Sequence, residues 1–325
     1  MDIGYLAYLD PFVFGGGGEM VMREVLTFGK NAGHKIDLYC VKGQKIRKAD
    51  FLANKDLFIL ADIFNCYTHP HFYSWGLLSE LISRQKYIHF DNAYVEICNL
   101  GYLPCCGQTG YDNCVYKREG KFKRFLATAY KLGIGNAVHD LNGCFRLNTR
   151  WLYRESKLNI FVSPLHRNIA LKMLGQDVID PSYVMKPIVD TRRFRDMQET
   201  RDIENLYIGP LNEAKGIENI RNLFPGGDIT LIGDIGEERY RQYGDYIGHV
   251  AYSEIHKYFN RAKNFVFLPE WPEPMGRVVI EAALCGCNLI TNDNVGALSF
   301  NFDIRDPSNF DNVLEEIWDM IEGII

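Results

Sequence analysis

Phe265-Val266-Phe267-Leu268-Pro269-Glu270-Trp271-Pro272-Glu273-Pro274-Met275-Gly276-Arg277-Val278-Val279-Ile280-Glu281-Ala282-Ala283-Leu284-Cys285-Gly286 holds the reading that decides the fold. Four apolar residues in a row, stopped by a proline, read as a strand buried on both faces. A loop ending on Gly276 follows, then an apolar stretch at helical spacing, so the segment is a strand, a loop and a helix, the repeating unit of a parallel sheet. Two glutamates, Glu273 and Glu281, lie eight positions apart across Gly276. The loop is expected to set Glu273 and the amides of Met275 and Gly276 at the helix N-terminus, with Glu281 two turns along the same face. Such amides attract phosphate, and carboxylates there can accept hydrogen bonds from sugar hydroxyls and from a ribose diol. Two solvated helix acids are the plain alternative.

Outward from this segment the pattern repeats. Leu206 to Ile208, Ile229 to Ile232 and Asn288 to Thr291 are further short apolar runs, as are Ile3 to Tyr8, Lys35 to Val41, Leu57 to Ala61, Tyr87 to Phe90 and Asn159 to Ser163. Each is followed by a loop and usually by a helical stretch, which predicts an α/β chain of two doubly wound domains. A chain of 325 residues also exceeds what one core usually covers. The turn-rich stretch from Pro181 to Asp190 places the boundary, giving a domain over 1–185 and a second over 186–308, with a ligand cleft between them. The tail, 309–325, spaces Val313, Leu314, Ile317, Trp318 and Ile321 as one apolar helix face and is expected to dock back on the first domain.

Composition narrows the class. The chain is 47% hydrophobic and 24% charged, ordinary globular values, and no apolar run approaches a membrane span. A net charge of −5 argues against nucleic acid as a partner. Nine cysteines, an odd number, with no secretory leader at Met1-Asp2 fit a reducing cytoplasm rather than a disulfide framework.

Leu206-Tyr207-Ile208-Gly209-Pro210-Leu211-Asn212-Glu213-Ala214-Lys215-Gly216 is a strand running into a turn whose lysine can reach a diphosphate from the wall opposite Glu273. An exposed loop lysine is the alternative. With Glu273, Glu281-Ala282 and Gly286 following in order, and with Gly233-Asp234 and Tyr246 to Val250 between them, the chain resembles the retaining GT-B glycosyltransferases. That family includes bacterial mannosyltransferases, sucrose synthase and glycogen synthase. The resemblance implies two Rossmann-like domains facing a cleft and transfer of a sugar from a UDP- or GDP-linked donor to a saccharide, lipid-linked or other hydroxyl acceptor. It assigns Glu273 to the sugar hydroxyls, Lys215 to the diphosphate, Glu281 to the ribose and the backbone near Val250 to the base. Gly209, Met275, Gly276 and Arg277 complete the donor site. No cofactor and no catalytic metal are implied. One departure stands out: the family's arginine after the strand glycine is replaced by Pro210. The clamp then needs another cation, Arg277 or one of Arg192 and Arg193, or activity is weakened.

In the first half, Gly15-Gly16-Gly17-Gly18-Glu19 follows the first strand and opens a helix through Val25, so backbone at Gly16 and Gly17 can approach a phosphate. A flexible turn is the other reading, and the resemblance favours the first. Tyr87-Ile88-His89-Phe90-Asp91 ends a strand at the edge where open α/β sheets bind ligands. By the resemblance, His89 or, second, Asp91 lies near the anomeric carbon; a satisfied core histidine is the alternative.

Cys98, Cys105, Cys106 and Cys114 cluster in an insertion over 98–114. They are candidates for a structural zinc site, although paired Cys-x-x-Cys knuckles are lacking and free thiols are the commoner outcome. Residues 117–131 interleave six basic residues with aromatics, a candidate for peripheral docking on anionic lipid or simply a solvated face. Two other functions compete with sugar transfer: a sugar-nucleotide epimerase of the same fold, and a non-catalytic sugar-nucleotide binding protein motivated by Pro210. The sequence sets no oligomeric state.

Overall fold

The computed structural model describes residues 1–42, 53–63, 66, 76–98, 103 and 146–324. These fall into two compact units. The first comprises Met1–Val162, Arg167–Met185 and Asn312–Ile325; the second comprises Ser163–His166 and Lys186–Asp311.

The first unit is built on six parallel strands, β1 (Asp2–Ala7), β2 (Lys35–Cys40), β3 (Leu57–Ala61), β4 (Tyr87–Asp91), β5 (Asn159–Phe161) and β6 (Ser182–Val184), in the order β2-β1-β3-β4-β5-β6. All five residues of β3 and all five of β4 are buried. Strands covered on both faces read as unbroken apolar runs, which is why the sequence pattern shows them. β6 escapes that pattern because its three residues are only half-buried and follow a proline in a turn-rich stretch. Helix α1 (Gly17–Asn31) runs past the expected Val25. Its buried residues Met22, Val25, Leu26 and Gly29 recur at helical spacing, with Glu19 in the first turn and Lys30 in the last.

The second unit carries β7 (Ile203–Ile208), β8 (Thr230–Ile232), β9 (Asp245–Gly248), β10 (Ala262–Phe267) and β11 (Asn288–Thr291), parallel throughout and ordered β11-β10-β7-β8-β9. From β7 the chain winds outward through β8 and β9, then crosses back to lay β10 on the other side of β7. The loops leaving β7 and β10 therefore diverge at the carboxyl edge, the crevice where doubly wound sheets take ligands. Helix α2 (Ile217–Leu223) follows β7 and helix α3 (Arg277–Leu284) follows β10. The core beneath them is contiguous, from Phe194 through Leu206, Val266 and Ile280 to Phe310.

The last helix, α4 (Val313–Glu322), packs within the first unit. Its buried face is Val313, Ile317, Trp318 and Ile321. The Trp318 indole donates to the Val25 carbonyl oxygen at 2.8 Å and stacks on His34 with centroids 4.7 Å apart. Gly29 makes room for that ring: a Cβ there would lie 2.0 Å from it. Among the described residues, no helix is long and apolar enough to cross a membrane.

Candidate functional site

Lys215 and Glu273 meet at the β7/β10 crevice, with Nζ 2.5 Å from Oε2. Their side chains are 21% and 13% exposed. The turn that delivers Lys215 is closed locally: the Asn212 carboxamide oxygen accepts from the Lys215 amide at 2.9 Å, and the Gly216 amide donates to the Glu213 carbonyl. An asparagine three residues before the lysine is a turn signal readable in sequence. Gly216 is required twice over. It has φ +81°, and a Cβ would sit 1.8 Å from the Leu268 carbonyl oxygen at the end of β10. Close approach of the two loops is thus what places the lysine against the glutamate.

The glutamate loop is fastened from several directions within the unit. The Glu273 amide donates to the Asn294 carbonyl at 2.7 Å, and Glu273 bridges Val295 in parallel register. Asn292 and Asn294 each donate a carboxamide N–H to the Pro269 carbonyl at 3.0 Å. The Ser163 hydroxyl donates to the Pro274 carbonyl at 2.5 Å. None of Asn292, Asn294 or Ser163 was singled out from sequence, because their role depends on segments that only the fold brings alongside.

The structure corrects the expected geometry of this segment. Gly276 is the N-cap residue of α3, with φ +73°, and Met275 directly precedes it. Glu273 lies outside the helix, and Glu281 is one turn in rather than two along a shared face. A residue in the left-handed region ends the helix N-terminally, and only glycine adopts it freely. The first-turn amides of α3, which by construction lack intrahelical acceptors, begin at Arg277. Gly276 packs closely beside Glu273, since a Cβ there would be 3.4 Å from Glu273 Cγ. Lys215, delivered by the loop after β7, forms a direct ion pair with Glu273 from the loop after β10.

Glu281 is fully buried. Its Oε1 accepts from the Tyr252 hydroxyl at 2.6 Å and from Arg277 Nε at 2.9 Å, while Oε2 has no hydrogen-bond partner among the described residues. Burial pushes this carboxyl above its ordinary pKa, opposed by Arg277 and by the Tyr252 hydrogen bond. A buried acceptor left open has a reason to be found, and a ligand hydroxyl is one. Tyr252 was missed from sequence. It stands two residues past Val250, whose side chain packs on the core, in the loop leaving β9. Arg277 and Arg193 both lie over the Tyr252 ring, at 5.0 and 5.8 Å. Of the cations considered in place of the arginine lost at Pro210, Arg277 is therefore engaged with Glu281, and Arg193 also pairs with Asp190 at 3.6 Å. Pro210 itself receives the Tyr207 hydroxyl on its carbonyl at 2.8 Å.

Gly209 closes β7 with φ +153°, and its carbonyl lies against Gly233, where a Cβ would approach it to 2.0 Å. Backbone, not side chains, thus lines the edge from β7 to β8.

In the first unit, Gly16 is the N-cap of α1 and Gly17 its first residue. A Cβ on Gly17 would meet no described atom within 4 Å, whereas one on Gly16 would meet the Glu19 carboxylate. Gly18 abuts the Asn92 carboxamide, which follows β4. His89 and Asp91 are both buried on β4. Asp91 accepts from the Tyr153 hydroxyl at 2.7 Å, and His89 meets the Tyr153 ring edge-on with centroids 4.7 Å apart. Of the four cysteines considered for zinc, Cys98 is buried, while Cys105, Cys106 and Cys114 lie outside the described residues, as does 117–131.

Comparisons with known proteins bear on the fold and on the second unit. Residues 189–301, nearly all of the second unit, match the family model for glycosyl transferases group 1. Glycogen synthase of Mycobacterium tuberculosis is 27% identical over 46% of this chain. The match spans only 40% of that relative's length. Among solved structures, Anabaena HepE in complex with UDP superposes with a TM-score of 0.58 at 13% identity, covering all of this chain and 92% of HepE. A glycosyltransferase from Rickettsia africae gives 0.57 at 13% identity, covering 99% of this chain and 92% of the other. The class these define is the GT-B fold. The chain has the GT-B fold, and its second unit contains the segment that matches the group 1 model.

Proposed function

We propose that this protein is a retaining, metal-independent glycosyltransferase that moves a sugar from a nucleoside diphosphate donor to a hydroxyl acceptor. The observation carrying the reading is the Lys215–Glu273 pair at the β7/β10 switch point, beside the N-terminus of α3. An ammonium and helix amides are the groups that stabilise a departing diphosphate, and a carboxylate beside them can orient sugar hydroxyls without attacking carbon. The open Oε2 of Glu281 supports a ribose diol at the next position, reached when Tyr252 and Arg277 yield, with the backbone near Val250 taking the base. Arg277 then becomes available to the diphosphate in place of the cation absent at Pro210. On the first unit, Gly16 and Gly17 are assigned to the donor phosphate. His89 and Asp91 are assigned to the reacting end, where their burial with Tyr153 suits ordering of the strand edge. UDP, seen with HepE, is the first nucleotide to try, with GDP beside it.

The test is nucleotide release from UDP- and GDP-sugars, with and without acceptor sugars and with chelator present. Release that depends on acceptor and survives chelator, with the anomeric configuration of the product retained, supports the reading. Inverted configuration at a ring carbon of the donor sugar, with no acceptor-dependent transfer, would favour an epimerase, and binding without turnover a sugar-nucleotide binding protein.

A further inference from the structure

Trp271 is two residues before Glu273, and its indole lies under the Lys215 ammonium, with Nζ 5.1 Å from the ring centroid. The ring sits on a tightly held stretch of backbone. On one side the Glu270 amide donates to the Ala214 carbonyl at 3.1 Å, within the turn that carries Lys215. On the other, Asn292 and Asn294 hold the Pro269 carbonyl, Asn294 also reaches the Glu270 carbonyl at 3.4 Å, and Pro272 is buried. The indole is thus fixed relative to the lysine loop, whereas the lysine stem is four flexible carbons ending in a point charge.

Among the described residues two partners hold that charge, and they differ in kind. Glu273 competes directly with any anionic ligand for the ammonium. The aromatic face does not, because its attraction comes from the ring quadrupole and leaves the N–H donors free to turn elsewhere. We propose that Trp271 is a positioning residue for the nucleoside diphosphate. It keeps the Lys215 ammonium in place while the lysine exchanges the Glu273 carboxylate for a diphosphate oxygen. Without it, the lysine would have to be ordered again on each binding event. The proposal rests on the donor-site reading above, and its test separates the two.

Wild type, W271L, K215M and the double variant form a cycle in the full chain, with W271F as the conservative replacement. One arm measures Kd for UDP and for GDP by calorimetry; the other measures unfolding midpoints without ligand. W271L is expected to weaken nucleotide binding about 3- to 30-fold, the range of a partly desolvated cation–π contact. In the K215M background it should have no further effect, and W271F should stay within about 3-fold of wild type. Ligand-free midpoints should be non-additive across the cycle, as for residues in contact. Equal weakening in both backgrounds, or additive midpoints, would overturn the proposal and leave Trp271 as loop packing. If wild type binds neither nucleotide, the donor-site reading falls, and the ligand-free arm alone decides whether Trp271 holds Lys215.

Discussion

Glu273→Gln should separate two effects that a simple contact count would merge. In the ligand-free protein Lys215 is engaged by Glu273 at 2.5 Å, with the side chains 21% and 13% exposed. Exposed pairs contribute about 0.2–1 kcal/mol, and the residual exposure here keeps the estimate near the upper end, about 1 kcal/mol. An incoming diphosphate has to displace that pair, so its energy is subtracted from binding. Glutamine keeps the volume and one acceptor oxygen but not the charge. E273Q is therefore expected to bind UDP or GDP up to about 5-fold more tightly, while turnover of the sugar donor falls about 10- to 1,000-fold. Calorimetry with the free nucleotide and single-turnover kinetics with the nucleotide sugar read the two terms separately. Weaker binding of the free nucleotide would refute the competition between carboxylate and ligand, and unchanged turnover would remove Glu273 from the reacting end.

Gly216→Ala places a Cβ 1.8 Å from the Leu268 carbonyl oxygen at φ +81°, short by 1.6 Å of the 3.4 Å at which ordinary contact begins. A loss of about 2–5 kcal/mol in urea unfolding, with weaker nucleotide binding, is expected; a loss below about 1 kcal/mol would contradict the close approach of the two loops. Glu96, buried beside Asp91 and Asp62, has its carboxyl held well above the usual range by burial first and by those two acids next. Because the folded state keeps this proton, its contribution is complete below the ordinary glutamate value and declines as pH rises from there to the folded-state pKa. Unfolding of wild type and E96Q between pH 5 and 8 should show wild type losing stability relative to the variant as pH rises, and a constant difference would count against the buried proton. Gly29→Ala crowds the Trp318 ring at 2.0 Å; helix propensity returns about 1 kcal/mol of an overpacking cost of about 1–3 kcal/mol. A blue- or red-shifted tryptophan emission with net destabilisation is expected, and a net gain in stability would argue that Trp318 packs elsewhere.

The sequence by itself determined the fold class. Strands buried on both faces, such as Leu57–Ala61 and Phe265 to Leu268, must be apolar along their whole length, and their alternation with helical stretches leaves few parallel arrangements. It also singled out Lys215 and Glu273 in loops that follow buried strands, and Glu281 by its eight-residue spacing from Glu273, all three with the help of the family resemblance. Tertiary structure alone decided how those residues are partnered. That Lys215 pairs with Glu273 depends on β10 crossing back beside β7, and on a glycine at 216 that lets two backbones touch. Tyr252 on Glu281, and Trp271 under Lys215, carry no local signal, because an aromatic in a loop reads the same whether it packs a core or holds a charge. Periodicity reports which face of an element is buried; it is silent on which loop lies opposite, and that is where the chemistry of this site is assembled.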